Sequence, residues 1–213
     1  MTTLLLIRHG ESEANRTRIF SGQIDSDLQD KGLEQAKLTA KYIAENYNVD
    51  KIYSSDLRRA YKTAECLAEI VNLDIITEPN LREIDGGEWE GVKYDQVLRV
   101  YPEEFNTWLY DIGRAGCVGG ESVRQLGDRI MKILTQIAEE NNEKTVAIAT
   151  HATPIRVAQC LIENGVLDKM EDIPWVSNAS VTVFEYNDNL WKINAVSIDE
   201  HLSELKTVLP SKI

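Results

Sequence analysis

The chain has 213 residues, enough for one large domain and short for two, so residues 1–213 are taken as a single domain. Its composition is 43% hydrophobic and 27% charged, an ordinary balance for a globular protein in water. With 23 Lys and Arg against 35 Asp and Glu the formal net charge is −12, which argues against nucleic acid and anionic membranes as partners, since both require a basic face. A small anion held in one cationic pocket is not excluded.

Taken in chain order, residues 3–8 form a short apolar run that reads as a buried parallel strand. It ends on Arg8 and His9. Residues 31–46 carry Leu33, Ala36, Ala40, Ile43 and Ala44 at helical spacing. The stretch "KIYSS" at 51–55 is a second strand. A helix follows from about residue 56, with Ser55 or Asp56 as its expected cap and Arg58 and Arg59 in its first turn. "LDIIT" at 73–77 is strand-like and leads into "NLREIDGGEWEG", a loop rich in carboxylates and glycine. Residues 94–110 are helical, with Pro102 as the expected break. Residues 121–140 form the clearest helix. "TVAIAT" at 145–150 is a buried strand ending at His151, and a helix runs on from Thr153 or Pro154. "ASVTVFEY" and "LWKINAVSI" flank "NDN", the pattern of a hairpin.

Strands alternating with helices predict an α/β fold, a three-layer sandwich with a mostly parallel sheet that is mixed at one edge. In such sheets ligands bind beyond the carboxyl ends of the strands. Three strands deliver arginine or imidazole to that edge: Arg8 and His9, Arg58 and Arg59, and His151. A single histidine at a strand end is usually structural, and a first-turn arginine is usually solvated. Three ends with the same bias point instead to an anion pocket. Phosphate suits it better than carboxylate, because several donors share its oxygens and arginine forks match its geometry. One neutral imidazole can attack while the other, protonated, stabilises the oxygens. Hydrolysis of an alkyl ester also needs an acid. Glu83, Asp85, Glu88 and Glu90 are the candidates in the loop, and spacing does not choose among them.

Cys66, Cys117 and Cys160 are odd in number and form no CxxC pair, which fits a reducing compartment. No stretch has the length of a membrane span. "MTTLLLI" lacks the basic start and cleavage site of a signal peptide, so a cytoplasmic location is expected. His9, Glu11 and His151 form no recognised metal-ligand spacing, and no metal or other cofactor is expected. Trp89, Trp108 and Tyr94 are candidates for a cleft wall, with packing the simpler reading for Trp108. His201 is expected on the surface, and "EDIPW" at 171–175 as a solvated loop.

The blocks "RHGES" with Asn15, "SSDLRRAYKTAE", "LREIDGGEWEG" and "ATHATPIR" resemble, in order and spacing, the histidine phosphatase or phosphoglycerate mutase-like superfamily. With "FSGQIDSDLQDKG" and "GGES" the resemblance covers most of residues 3–165. It implies His9 as a nucleophile that becomes phosphohistidine, Arg8 and Arg59 as phosphoryl clamps, His151 as the second imidazole, and Glu83 as the acid. Asn15, Ser21, Gly22, Gln23 and Ala152 would line the phosphate site. Two positions depart from the family pattern. Ala152 stands where glycine usually follows the second histidine, and Gln23 where an aromatic is common. The implied activity is metal-independent hydrolysis of small phosphorylated metabolites such as sugar phosphates, phosphoserine, phosphoglycerates or α-ribazole phosphate. The alternative is a phosphoglycerate mutase. The segment between Glu83 and "GGES" carries only Lys93, Arg99 and Arg114 and looks short for the closed lid a mutase needs. A binding module without chemistry is disfavoured, because all five chemical residues are present.

Overall fold

A computed structural model of the chain describes residues 1–207. Six strands form one sheet: β1 (Thr2–Arg8), β2 (Lys51–Ser54), β3 (Ile75–Thr77), β4 (Thr145–Thr150), β5 (Val181–Asn187) and β6 (Leu190–Ile198), in the order β3-β2-β4-β1-β5-β6. The first four in that order run parallel, and β5 and β6 are antiparallel additions at one edge. The hairpin turn places Asp188 and Asn189 at φ 49° and 63°, the two left-handed residues that match the twist of paired strands.

Seven α-helices surround the sheet among the described residues: α1 (Glu13–Thr17), α2 (Asp30–Asn46), α3 (Arg58–Val71), α4 (Tyr94–Val100), α5 (Pro102–Tyr110), α6 (Val123–Glu140) and α7 (Ala152–Asn164). Alternate side chains of β1 explain why its run of aliphatics is unbroken. Leu5 and Ile7 pack under α2 and α3 with Ala40, Ile43, Ala60 and Leu67. Leu4 and Leu6 join the opposite core with residues of α5, α6 and α7, including Trp108, Leu126 and Ile155. A strand covered on both faces has no solvent side to make polar. No helix among the described residues is long and apolar enough to cross a membrane.

Two local details differ from the sequence expectation. Neither Ser55 nor Asp56 caps α3; its N-cap is Leu57. Ser55 is committed to His151 at 2.9 Å, and Asp56 accepts two hydrogen bonds from Arg82. The short helix α1 carries no apolar period and was not expected. Asn15 holds its start by accepting from the Ser12 N–H at 3.0 Å.

Beyond β1 the chain passes very close to the first turn of α2. A Cβ on Gly10 would lie 2.2 Å from the Gly32 carbonyl oxygen, and one on Gly32 would lie 2.1 Å from that of Glu11. This contact, between backbones, fixes the loop that begins at His9. Alanine for glycine within a helix ordinarily stabilises by up to about 1 kcal/mol. Gly32→Ala is expected to do the reverse here and destabilise by about 1–3 kcal/mol, the cost of overpacking. Urea unfolding of the two proteins reads the sign directly.

Candidate active site

The register of β1 and β4 pairs Arg8 with Thr150, so the next residue of each strand is a histidine. The rings of His9 and His151 stand 5.2 Å apart between centroids, at 61°. Arg59 arrives from the first turn of α3, behind β2. Glu83 comes from the loop after β3. That loop is tied to the end of β4 where Thr150 Oγ1 donates to the Leu81 carbonyl at 2.7 Å.

A cavity of about 440 Å³ opens at this edge. Of the expected site residues, Arg8, His9, Asn15, Ser21, Gly22, Arg59, Glu83 and Ala152 line it. His151 does not line it; the residue is fully buried against His9. Gln23 also turns away. Its side chain bridges the Glu83 carbonyl and Arg82, each at 3.3 Å.

Hydrogen bonding sets the state of the nucleophile candidate. His9 Nδ1 lies 2.7 Å from the Gly10 carbonyl. A carbonyl only accepts, so Nδ1 carries the proton and Nε2 keeps its lone pair. Burial, with Arg59 and Arg8 nearby, holds the His9 pKa well below the usual imidazole value. Burial and Arg59 lower His151 in the same way. Both rings are therefore neutral near pH 7, which corrects the expected protonated second imidazole: burial beside Arg59 disfavours a charge on His151.

The two arginines are braced by backbone. Arg8 donates to the Val176 carbonyl at 2.5 Å, and Arg59 donates to the carbonyls of Ile24 and Gly22 at 2.7 and 2.8 Å. Burial pushes each down to about 10, which leaves both charged. Gly22 sits at φ 47°, and a Cβ there would meet the Glu90 carboxylate at 2.2 Å; the carbonyl that receives Arg59 thus depends on glycine. By contrast Arg58 is exposed and paired with Asp25 at 2.9 Å.

Several buried polar atoms around the cavity have no hydrogen-bond partner: Arg8 Nε, Arg59 Nε, Ser21 Oγ and His151 Nδ1. Buried groups are rarely left unpaired, and a cluster of them marks a place where polar chemistry is to be supplied. The α7 N-terminus adds the Ala152 N–H and the positive end of its dipole, while the Thr153 N–H donates to the Glu83 carboxylate at 3.4 Å. Ala152 is not among the residues with positive φ, so the absence of glycine there costs the backbone nothing.

The structure separates the four loop carboxylates. Glu90 accepts from the N–H groups of Gln23 and Gly86, Glu88 accepts from the Tyr101 hydroxyl, and Asp85 is exposed and turned onto Gly87. Only Glu83 lines the cavity. Burial raises its pKa, and this outweighs the lowering by the Ile84 N–H, Arg59 and Thr153. The Glu83 loop is clamped from α6. Arg129 donates to the carbonyls of Asn80, Arg82 and Glu83 and pairs with Glu121 at 2.8 Å.

The far wall corrects several expectations. Trp89 is fully buried and lines no cleft. Trp108 and Tyr94 do line the cavity, held through Phe20, whose ring meets theirs edge-on at 5.2 and 6.1 Å. Trp175, from the stretch expected as a solvated loop, lines it too and lies 3.8 Å above the Arg156 guanidinium. Asn178 and Thr207 complete the lining without any signal in the sequence. Asn178 donates to the His9 carbonyl at 3.1 Å and accepts from Thr207 at 3.1 Å. His201 is half-buried, not exposed: it stacks on Tyr42 at 4.6 Å and contacts Thr39 at 2.9 Å. Cys117 is buried, and burial raises its thiol pKa, which leaves it unreactive. Glu11 pairs with Lys31 at 3.0 Å. No cluster of three metal-ligating residues occurs among the described residues.

Comparison with known proteins gives the context of this geometry. A family model described as the histidine phosphatase superfamily, branch 1, matches residues 4–199. Phosphoserine phosphatase 1 of Hydrogenobacter thermophilus is 34% identical over 204 residues, which span 96% of each chain. A metal-independent phosphoserine phosphatase of Arabidopsis thaliana is 32% identical, over 96% of this chain and 85% of that one. Among solved structures, YhfR of Bacillus stearothermophilus superposes with a TM-score of 0.90 at 27% identity, over 95% of this chain and 100% of the other.

Proposed function

From the fact that the chain belongs to the histidine phosphatase superfamily and is a phosphatase, we propose that it hydrolyses small phosphomonoesters through a phosphohistidine on His9, without a metal. One observation carries the reading most. The Gly10 carbonyl locks the His9 tautomer so that Nε2 presents a lone pair at a cavity flanked by two charged arginines.

In the first half-reaction Nε2 attacks phosphorus while the ester oxygen leaves. Glu83, kept protonated longer than an ordinary carboxyl by its burial, gives that oxygen its proton. Arg8, Arg59, Asn15, Ser21 and the Ala152 N–H at the start of α7 gather charge on the phosphoryl oxygens. Ser55 accepts from the Leu57 N–H and has its own proton to give to His151 Nε2. That gift puts the ring proton on Nδ1, the unpartnered nitrogen. In the second half-reaction the Glu83 carboxylate takes a proton from water. The hydroxide attacks phosphorus, the P–N bond breaks, and inorganic phosphate leaves.

The two relatives' names make phosphoserine the first substrate to try. The test is phosphate release from a panel of phosphomonoesters with EDTA present, 3-phosphoglycerate included. Release that survives EDTA is the expected result. Conversion of 3-phosphoglycerate to 2-phosphoglycerate with little phosphate freed would replace this reading with that of a mutase.

A further inference from the structure

The cavity has a third arginine that the phosphoryl chemistry leaves without a task. Arg18 lines the same cavity as His9. Its side chain is exposed and has no hydrogen-bond or ion-pair partner among the described residues. In a chain of net charge −12 most cations near the site do find one: Arg58 pairs with Asp25, Lys62 with Asp27 and Arg82 with Asp56.

Its backbone is unusual as well. Arg18 closes α1 at φ 55°, ψ 41°, a left-handed conformation that costs an arginine and costs glycine nothing. The position is pinned: its N–H donates to Ala14 and its carbonyl accepts from the Tyr94 N–H at 3.3 Å. A strained residue persists where its side chain is needed. The sole carboxylate in the lining is Glu83, and it accepts from the Ile84 and Thr153 N–H groups and makes no ion pair with Arg18. No carboxylate of the wall therefore answers Arg18.

Resting on the phosphatase reading above, we propose that Arg18 is a specificity residue that binds a second oxyanion on the substrate, a carboxylate or a second phosphoryl group at the end remote from the bond being cut. A cavity of about 440 Å³ limits that substrate to a small molecule.

The experiment compares matched esters on the wild type, Arg18→Gly and Arg18→Lys. Phosphoserine is set against phosphoethanolamine, which lacks only the carboxylate, and fructose 1,6-bisphosphate against fructose 6-phosphate. Glycine suits the backbone here, so Arg18→Gly keeps the fold. In one of the pairs the wild type should prefer the member that carries the second oxyanion by roughly tenfold or more in kcat/KM, as expected for a charge-assisted hydrogen bond. Which pair shows the preference identifies the oxyanion. Arg18→Gly should erase it through KM with kcat nearly unchanged, and Arg18→Lys should restore part. A preference that survives in Arg18→Gly would overturn the inference. An equal loss on all four esters would do so too, by assigning Arg18 to the transferred phosphoryl group. Were the wild type to hydrolyse none of them, the hydrolase reading would fall by itself. The Arg18 inference would then be decided by calorimetric binding of phosphoserine and phosphoethanolamine to wild type and Arg18→Gly.

Discussion

His9→Ala is expected to lower turnover by at least about four orders of magnitude on every phosphomonoester, since removing a nucleophile that works as a unit with its neighbours leaves only binding and charge stabilisation. The anion-binding groups do not depend on the ring. Arg8 and Arg59 are held by the carbonyls of Val176, Ile24 and Gly22, and the first turn of α7 is untouched. The variant should therefore still bind inorganic phosphate. Retained binding with lost turnover separates chemistry from misfolding. Acid-quenched wild type should carry a phosphoryl group that is labile to acid and stable to alkali, as a phosphoramidate is, and the variant none. Activity in His9→Ala above about one part in a hundred of wild type would remove His9 from the nucleophile's place.

Glu83→Gln is expected to cost about 10²- to 10⁴-fold on alkyl phosphates and far less on aryl phosphates, whose leaving groups need no proton. The pH dependence carries the same information. The His9 pKa is lowered, so its lone pair is available from below the usual imidazole range upward. The Glu83 pKa is raised, so its proton is retained to higher pH than a free glutamic acid retains it, and is lost above that. Rates on alkyl esters should rise as pH passes the depressed histidine value and fall as it passes the raised carboxyl value. In Glu83→Gln the falling limb should flatten. Equal losses on alkyl and aryl esters, with the limb intact, would place the acid elsewhere.

The layers of the fold were legible in the sequence because both faces of the parallel strands are covered, which writes them as unbroken apolar runs. Strand ends alone brought Arg8, His9, Arg58, Arg59 and His151 to one edge of the sheet; Arg59 rather than Arg58, and Glu83 among the loop carboxylates, came only from the family resemblance. Four carboxylates share that loop, and they differ only in what the folded chain puts around them: N–H groups for Glu90, a tyrosine for Glu88, solvent for Asp85, and the cavity for Glu83. The far wall was hidden for a related reason. Trp175 and Asn178 lie some 165 residues beyond His9 in polar-looking sequence, and α7 and the sheet edge bring them back. Arg129 reads as one more charge on an amphipathic helix, yet its guanidinium spans three carbonyls of the acid loop. Such roles depend on where the partner arrives, which local pattern does not record. The caps of α3 failed as predictions because Ser55 and Asp56 had stronger offers from His151 and Arg82.

The pairing of Thr3 with Thr145 through to Arg8 with Thr150 runs without a bulge, and it makes the meeting of two imidazoles a matter of counting. Each strand must spend the same number of residues between the shared rung and its histidine. One extra residue in either would advance its histidine by about 3.3 Å and turn it to the opposite face of the sheet. Surface turns such as that between β5 and β6 have no such arithmetic. Lengths in this architecture are thus free to drift at the turns and rigid between residues 3 and 9 and between 145 and 151. Two short stretches, almost 140 residues apart, must keep step with one another.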